Sequence, residues 1–185
     1  INLQNVLEEE GFDKIKIEDF VNLRFNSISN KKIVQFRATI SGLSETVSPS
    51  WDSSKFIGSP FNYYTYSGVE RSVSFNFKIF SLNLEEHKIA WDKLEFLTGL
   101  AYPQSYTAQN AVIAPFIKFT LGDMYKGKES FIESLSYTID DTTPWEIEEE
   151  NYILPTIIDT SVTLKFVEAR NNTKLDSFYS QGSIT

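Results

Sequence analysis

The stretch YTYSGVERSVSFNFKIF, residues 64–80, decides the fold. From Arg71 onward apolar and polar residues alternate, with one face made of Val73, Phe75, Phe77 and Ile79 and the other of Ser72, Ser74, Asn76 and Lys78. A period of two indicates a β-strand with one buried face. Most strands have about 5–6 residues, whereas this run would extend for more than about 40 Å between Val69 and Leu82. Such a strand needs a partner along its length, because a long free edge recruits other chains.

Three further segments show the same alternation. KKIVQFRATISGL, residues 31–43, is predicted to end at Gly42 and has one face made of Val34, Phe36, Ala38 and Ile40. VIAPFIKFTLGD (112–123) and SFIESLSYTID (130–140) flank a turn and are expected to form a hairpin. The last strand lies within TIIDTSVTLKFVEA (156–169), and its apolar face comprises Ile158, Val162, Leu164 and Phe166. The turns between these strands and their alternation of apolar and polar residues favour antiparallel pairing.

One helix is predicted over NLEEHKIAWDKLEFLT, residues 83–98. Its apolar stripe has the helical period and comprises Leu84, Ile89, Ala90, Trp91, Leu94 and Leu97. Asn83 is placed to cap the first turn, and Gly99 is a natural residue to follow the last turn. His87, the single histidine, is expected to be solvated on the helix surface.

The order of these elements predicts a mainly β protein, a β-rich α+β fold in which an antiparallel sandwich or barrel packs against one helix. Residues 1–31 are expected to form an N-terminal arm leading into a strand. Residues 32–170 are expected to form the β domain, and residues 171–185 a polar tail. A chain of 185 residues buries about 70% of its unfolded surface, which is enough for one core.

Residues 44–67 are predicted to form a long loop rich in serine and aromatic residues. Loops of this length are usually functional, and aromatic side chains left in water need a covering surface. We expect a subunit interface here, with two alternatives: the loop folds back over its own core, or its rings bind sugar. Arg71 is expected either to form an ion pair at the interface or to be an ordinary charged residue on the surface. The candidate interface residues are Trp51, Phe56, Phe61, Tyr63, Tyr64, Tyr66 and Arg71.

The composition argues against several classes of site. The chain has no cysteine, which removes disulfide scaffolds and cysteine-based zinc sites. Its formal net charge of −8 argues against tight binding to a nucleic-acid backbone. No apolar run approaches the roughly 20 residues that a membrane-spanning helix needs, so membrane insertion is not expected.

No catalytic, cofactor or metal site is predicted. One histidine and no cysteine give little support to a serine–histidine–aspartate triad or a cysteine–histidine pair. An acidic patch could bind Ca²⁺, but it lacks the spacing and the glycine of an EF-hand loop, so a solvated loop is the expected structure. The patch comprises Asp140, Asp141, Glu146, Glu148, Glu149 and Glu150.

An ordered set of motifs resembles the tail-tube fold of contractile-tailed bacteriophages and related injection machines. The motifs are, in order, Pro49, Trp51, Gly58, Tyr66-x-Gly68-x-x-Arg71-x-Val73-x-Phe75-x-Phe77, the helix residues Trp91, Leu94 and Leu97, Pro103, Pro115-x-Ile117, Gly122-Asp123, Pro144-Trp145 and the closing strand from Pro155. The resemblance covers about residues 32–168. It is nearest to tube-like baseplate proteins, the tail-tube junction or tube-initiator proteins of T-even-like phages.

The resemblance implies a sandwich or barrel subunit of tail-tube type that assembles into a six-fold ring. In that family a long hairpin from each subunit lines a central channel, and rings stack into the tube. The implied protein is a structural virion component, assembled in the host cytoplasm, that initiates or extends the tail tube. It would contact adjacent tube and baseplate proteins and meet DNA only in passing, and an acidic channel wall would repel the DNA phosphates.

Two alternative functions stay open at this point. One is a different tail, neck or injection-system tube protein. The other is a carbohydrate-binding β-sandwich module of a tail fibre. A sugar binder predicts a monomer or trimer with affinity for glycans, whereas a tube protein predicts closed, head-to-tail self-association. An enzyme is not expected.

Overall fold

The computed structural model describes residues 7–8, 21–37, 39–81, 83–106, 111–145 and 153–167. Ten strands and one helix lie within them. In chain order they are β1 (Leu7–Glu8), β2 (Leu23–Ser27), β3 (Lys32–Phe36), β4 (Thr39–Ser54), β5 (Tyr63–Phe80), α1 (Leu84–Gly99), β6 (Gln104–Tyr106), β7 (Ala111–Ile113), β8 (Ile117–Leu121), β9 (Tyr125–Thr138) and β10 (Ile157–Phe166).

Eight strands form one antiparallel sheet in the order β1-β3-β2-β8-β9-β10-β5-β4, and β6 pairs with β7 separately. Three hairpins, β2–β3, β4–β5 and β8–β9, supply most of the neighbours. The last strand, β10, lies between β9 and β5 and so joins the two halves of the sheet. The predicted mainly β, antiparallel fold with one helix is confirmed.

The sheet curls, so that strands far apart in its order face each other across the core. Phe75 of β5 stacks on Phe119 of β8 with 5.5 Å between ring centroids, although β10 and β9 lie between these strands. Phe77 of β5 lies 5.2 Å from Phe36 of β3. Helix α1 contacts both β3 and β5, and it therefore bridges two strands that are not neighbours in the sheet. The result is an open barrel with its core covered by one helix.

The alternation along β5 sorts its side chains as predicted. Val73, Phe75 and Phe77 are buried, whereas Asn76 and Lys78 are exposed. The neighbouring strand β10 follows the same rule with buried Ile158, Val162, Leu164 and Phe166. Burial of one such side chain contributes about 1.5–3 kcal/mol to the stability of the fold. These two strands therefore supply much of the stabilisation that comes from the core.

Residues 44–67 are not a loop, which corrects the prediction. Strand β4 continues to Ser54 and β5 begins at Tyr63, so only residues 55–62 connect them. Gly42 (φ 63°) lies in a bulge where the register shifts, and it therefore bends β4 rather than ending the strand. Serine-rich sequence favours turns when it is considered alone, but pairing with β5 overrides that preference.

Part of the segment predicted as an N-terminal arm, residues 1–31, lies in the sheet. Strand β2 runs between β3 and β8, and its Leu23 and Phe25 belong to the core. Residues 23–27 therefore pair on both sides with strands of the predicted β domain. The predicted tail at 171–185 lies outside the described residues, and so do four members of the acidic patch, Glu146, Glu148, Glu149 and Glu150.

Helix α1 confirms the predicted helix and corrects its details. Asn83 occupies the N-cap position without a side-chain cap hydrogen bond. The helix includes Gly99, and Leu100 (φ −67°) is its C-cap, so Gly99 does not end it. His87 was predicted to be solvated but is buried, because the first turn of α1 folds against the end of β5 and brings Nδ1 within 2.9 Å of Ser81 Oγ.

The predicted β8–β9 hairpin is confirmed, and β9 is longer than expected. Its outer half carries a bulge, because Thr163 of β10 pairs with Ser134 whereas the next residue, Leu164, pairs with Ile132. Glu133 is the extra residue at this bulge. The bulge explains why Ile132 breaks the alternation in the sequence.

Replacing Phe119 with alanine is expected to lower the free energy of unfolding by about 3–5 kcal/mol, because the lost ring leaves a cavity. The Phe119 ring is fully buried and contacts Phe25, Phe75 and Tyr125. Phe80→Ala is the matched control, since Phe80 is exposed and its loss should cost about 1 kcal/mol or less. Urea-induced unfolding measures both values, and equal losses would contradict this core.

The ammonium of Lys93 on α1 is expected to make stability depend on pH. Burial lowers its pKa from 10.5 to about 8. Between about pH 8 and about pH 10.5 the unfolded chain therefore binds more protons than the folded chain, and the free energy of unfolding rises with pH. Across this range, the free energy of unfolding of the wild type should rise by at most about 3 kcal/mol relative to that of Lys93→Met.

Urea unfolding from about pH 7 to about pH 10.5 measures the effect of Lys93. Lys88→Met is the control, because it removes the charge of an exposed lysine from the same helix. A constant difference between wild type and Lys93→Met across the range would show that Lys93 has an ordinary pKa in the folded protein.

Candidate assembly interface

The outer half of the β4–β5 hairpin extends beyond the body of the sheet. Strand β10 pairs with β5 only from Phe80 to Ser72. Beyond that point β5 pairs only with β4, within the part of the chain that the structure describes. Residues 47–71 therefore form a two-stranded ribbon, which is about 30 Å long for nine residues of β5. We call this segment the ribbon.

A tight turn ends the ribbon. The Ser59 N–H donates to the Phe56 carbonyl over 3.1 Å, and Gly58 has a φ of 86°, as a type II turn requires at its third residue. Ile57 precedes Gly58 in this turn and is 107% exposed, the highest value among the exposed apolar residues. Residues 55–62, which we call the tip, therefore present apolar side chains to solvent.

The ribbon carries aromatic side chains on both of its faces. Trp51 and Tyr66 are cross-strand partners and make an edge-to-face contact with 5.0 Å between ring centroids. Phe56 and Tyr63 make a similar contact at 4.9 Å. Tyr63 and Tyr64 are consecutive strand residues, so they point to opposite faces. Six aromatic residues are exposed in the ribbon: Trp51, Phe56, Phe61, Tyr63, Tyr64 and Tyr66.

Four side chains, which we call the root cluster, hold the base of the ribbon. The Arg71 Nε–H donates to Glu45 Oε1 in an ion pair between β5 and β4. The Tyr125 hydroxyl donates to the other carboxylate oxygen of Glu45 over 2.6 Å. The Arg71 guanidinium lies 5.1 Å from the ring centroid of Phe166 and 5.9 Å from that of Tyr125. The buried charge is therefore compensated by a carboxylate and by two aromatic rings.

The structure separates the seven candidate interface residues into two groups. The six aromatic residues lie together on the ribbon and are exposed, so the alternative in which this segment folds back over its own core is wrong. Arg71 is 5% exposed and pairs within its own chain, so it is not a plain surface charge. Glu45 and Tyr125 were not predicted, although the position of Arg71 on the apolar face of β5 was a signal of a buried ion pair.

A second surface feature is a mostly apolar cavity of about 950 Å³ along α1, which we call the α1 groove. Its walls come from α1, the end of β9 and the start of β10, and they include Leu84, Trp91, Tyr102, Tyr137, Ile139 and Ile158. The Tyr137 hydroxyl lies 2.7 Å from Thr98 Oγ1, which ties β9 to the helix. Burial raises the pKa of Tyr137, and its hydrogen bond with Thr98 partly offsets that rise.

The described residues offer little catalytic chemistry. Ser81 Oγ and His87 Nδ1 are 2.9 Å apart, the distance of a nucleophile and its base. Ser81 Oγ also lies 3.3 Å from the Thr156 carbonyl, so the two contacts connect the residue after β5 to the first turn of α1 and to the residue before β10. The described part of the chain contains no cluster of three metal-ligating side chains. Among the same residues, no helix has both the length and the apolar character to cross a membrane.

Breaking the root cluster is expected to destabilise the chain more than breaking an exposed ion pair. Glu45→Gln removes the counter-charge of a buried guanidinium and should lower the free energy of unfolding by about 3 kcal/mol. The control is Glu70→Gln, which breaks the pair between Glu70 and Lys165 (2.8 Å). Glu70 is exposed, so the expected loss is below about 1 kcal/mol. Similar losses in urea unfolding would contradict the root cluster as the anchor of the ribbon.

No protein-family model and no curated protein matches this chain. Among solved structures, it is similar to a chain of the tail of an empty GTA particle that was computed with helical refinement in C6 symmetry. The TM-score is 0.39 and the sequence identity 9%, and the match covers 84% of this chain and 96% of that chain. A likeness at this level carries no conclusion about function.

Proposed function

We propose that this chain is a structural subunit of a phage-type tail that self-assembles into a ring. In this proposal it is a tube-like baseplate ring protein that initiates or extends the tail tube, and the ring has six-fold symmetry. Neighbouring copies and adjacent tube or baseplate proteins are its partners, and DNA passes through the ring without being held. The motif resemblance between about residues 32 and 168 supports this proposal.

The observation that carries the proposal is the exposed aromatic ribbon. A two-stranded hairpin alone is marginally stable in water, yet this one extends about 30 Å with apolar residues on both faces. Large exposed apolar patches mark contact sites, and Tyr and Trp are enriched at protein interfaces. A ribbon placed between two neighbouring copies would bury both faces at once. This is the geometry that a ring of identical subunits supplies.

The free edge of the sheet supports the same proposal. Strand β4 is the last strand in the described sheet order, and its 16 residues pair on one side only with β5. An edge of this length is a template for pairing with another chain. If the neighbouring copy continues the sheet, closure of the ring removes the edge.

The outward face of the long strands suits a channel that DNA passes through. It is rich in small hydroxyl side chains, which include Ser72, Ser74, Ser134, Ser136, Ser161 and Thr163. The cations on this face are paired, Lys78 with Asp159 at 3.2 Å and Lys165 with Glu70 at 2.8 Å. Paired lysines attract phosphates less than free ones. We propose that this face lines the lumen.

The arrangement of the rings favours protein contact over sugar binding. Sugar platforms need an open aromatic face, whereas the pairs Trp51–Tyr66 and Phe56–Tyr63 meet edge to face at interplanar angles of 67° and 70°. Each pair directs one ring edge at the face of the other ring. Such packing stiffens the ribbon and is itself stabilising by about 0.5–1.5 kcal/mol per pair.

Negative-stain microscopy with native mass measurement on the same sample tests the proposal. The wild type is expected to form six-fold rings or stacked tubes, and Trp51→Ser/Tyr66→Ser is expected to stay monomeric because it removes the Trp51–Tyr66 ring pair from one face of the ribbon. Trp145→Ser is the matched control, since Trp145 is 48% exposed, against 57% for Trp51, and lies outside the ribbon. It should assemble like the wild type.

Rings from the Trp51→Ser/Tyr66→Ser variant would exclude the Trp51–Tyr66 pair as an essential part of the interface. A wild-type chain that stays monomeric and binds a glycan array would replace the proposal with the sugar-binding function.

A further inference from the structure

We infer that the tip of one copy docks in the α1 groove of the next copy. The inference rests on the proposed self-assembly and specifies one of its contacts. It joins two apolar surface features of the described chain, residues 55–62 and the cavity of about 950 Å³ along α1. The occupant of the groove is therefore a second copy of this chain.

The two surfaces lie at opposite ends of the longest strand. The tip precedes Tyr63, where β5 begins, and the groove lies beyond Phe80, where β5 ends, since its lining includes Leu84 and Ile158. Ile158 of β10 pairs with Ile79 near that end. Seventeen residue steps of β-strand span about 55 Å. The tip of a chain therefore does not reach the groove of the same chain, and the contact is head-to-tail.

The tip and the groove are both mainly apolar. The tip projects Phe56, Ile57, Pro60 and Phe61, and all four are exposed. The groove is lined mainly by apolar side chains and has the volume of a ligand-sized pocket. Its rim residue Tyr102 is 66% exposed, so the groove opens to solvent on a side that a neighbour can approach. Docking would remove both apolar surfaces from water.

The charges of the two surfaces are complementary. Lys55 is the only charged residue in the tip, residues 55–62, which makes the tip cationic in a chain of net charge −8. The groove includes three acidic residues and one lysine, which are Glu85, Asp92, Glu95 and Lys88. A basic apolar tip and an acidic apolar groove attract each other, and two copies of either surface repel through their like charges. Complementarity of this kind favours tip-to-groove contact over tip-to-tip or groove-to-groove contact.

Crosslinking between introduced cysteines tests the contact directly, because the natural chain has no cysteine. Ile57→Cys/Tyr102→Cys places one thiol on the tip and one on the groove rim. A short bis-maleimide should link this variant into a ladder of covalent multimers. The yield should be roughly tenfold or more above that of either single-cysteine variant, because docking raises the local thiol concentration.

Two further variants serve as controls for the crosslink. Ile57→Cys/Asp123→Cys places the second thiol in the exposed β8–β9 turn, at the end of β9 away from the groove, and should give only the background yield. Gly99→Phe, added to the Ile57→Cys/Tyr102→Cys variant, should reduce the yield to that background. Gly99 lines the groove, and an added Cβ there meets no atom within 4 Å, so the ring fills the groove without a clash at its attachment point.

Mixing two defective variants separates a lost contact from a lost fold. Ile57→Asp has a defective tip and an intact groove, whereas Gly99→Phe has the reverse. Neither variant, when it is the only chain present, should assemble through this contact. An equimolar mixture should form heterodimers, because one tip and one groove remain compatible, and native mass measurement would resolve them. Two misfolded chains would not rescue each other.

The outcomes distinguish this contact from the proposed function. Wild-type rings without the Ile57–Tyr102 crosslink, or with a crosslink that Gly99→Phe leaves unchanged, would overturn the contact and leave the ring proposal standing. A ladder from a chain that forms no rings would support the contact as an open head-to-tail chain and count against the ring. A monomer that gives neither rings nor crosslinks would overturn both.

Discussion

The buried ion pair between Arg71 and Glu45 marks the place where β5 changes its surroundings. On one side of Arg71 the strand is packed between β10 and β4 and supplies the core, and on the other side it continues only as half of the ribbon. A charge at a core-facing position is tolerated only when it is compensated, and Tyr125 and Phe166 complete that compensation. The same contacts hold the ribbon to the body, so that in the proposed assembly the ribbon would meet its partner already ordered.

Local pattern was sufficient to predict the strands that carry the core. Residues 71–80 of β5, together with β8 and β10, alternate so regularly that burial follows from their period alone, and helix α1 follows from its own period. The continuation of β4 beyond Gly42 was missed because its serines and Pro49 resemble a loop, and its extended structure comes from pairing with β5 across the hairpin. The position of β2 in the sheet was also missed, because it depends on pairing with β3 and β8 and not on the sequence of β2 itself.

The candidate interface was predictable only in part. The sequence shows six aromatic residues between 51 and 66. So many exposed rings need a covering surface, whether the segment is a loop or a ribbon. Arg71 was grouped with them because its partner, Glu45, lies 26 residues earlier in the chain. The α1 groove was not predictable, because its walls combine α1 with the ends of β9 and β10. Surfaces assembled from separate segments leave no local pattern in a sequence.

Within the described residues, β4 leaves one edge of the sheet unpaired, and the proposed assembly requires that this edge pair with an identical neighbour rather than with unrelated chains. Strand β4 limits random pairing, because Pro49 removes one backbone donor and the register shifts at two bulges, near Ser41 and Ser50. A flat strand from an unrelated chain would fall out of register with β4 at each bulge. An identical neighbour would always present a strand of the same curvature to β4. In the proposed assembly, the features that interrupt the edge would therefore select an identical neighbour, and burial of the aromatic ribbon would drive association.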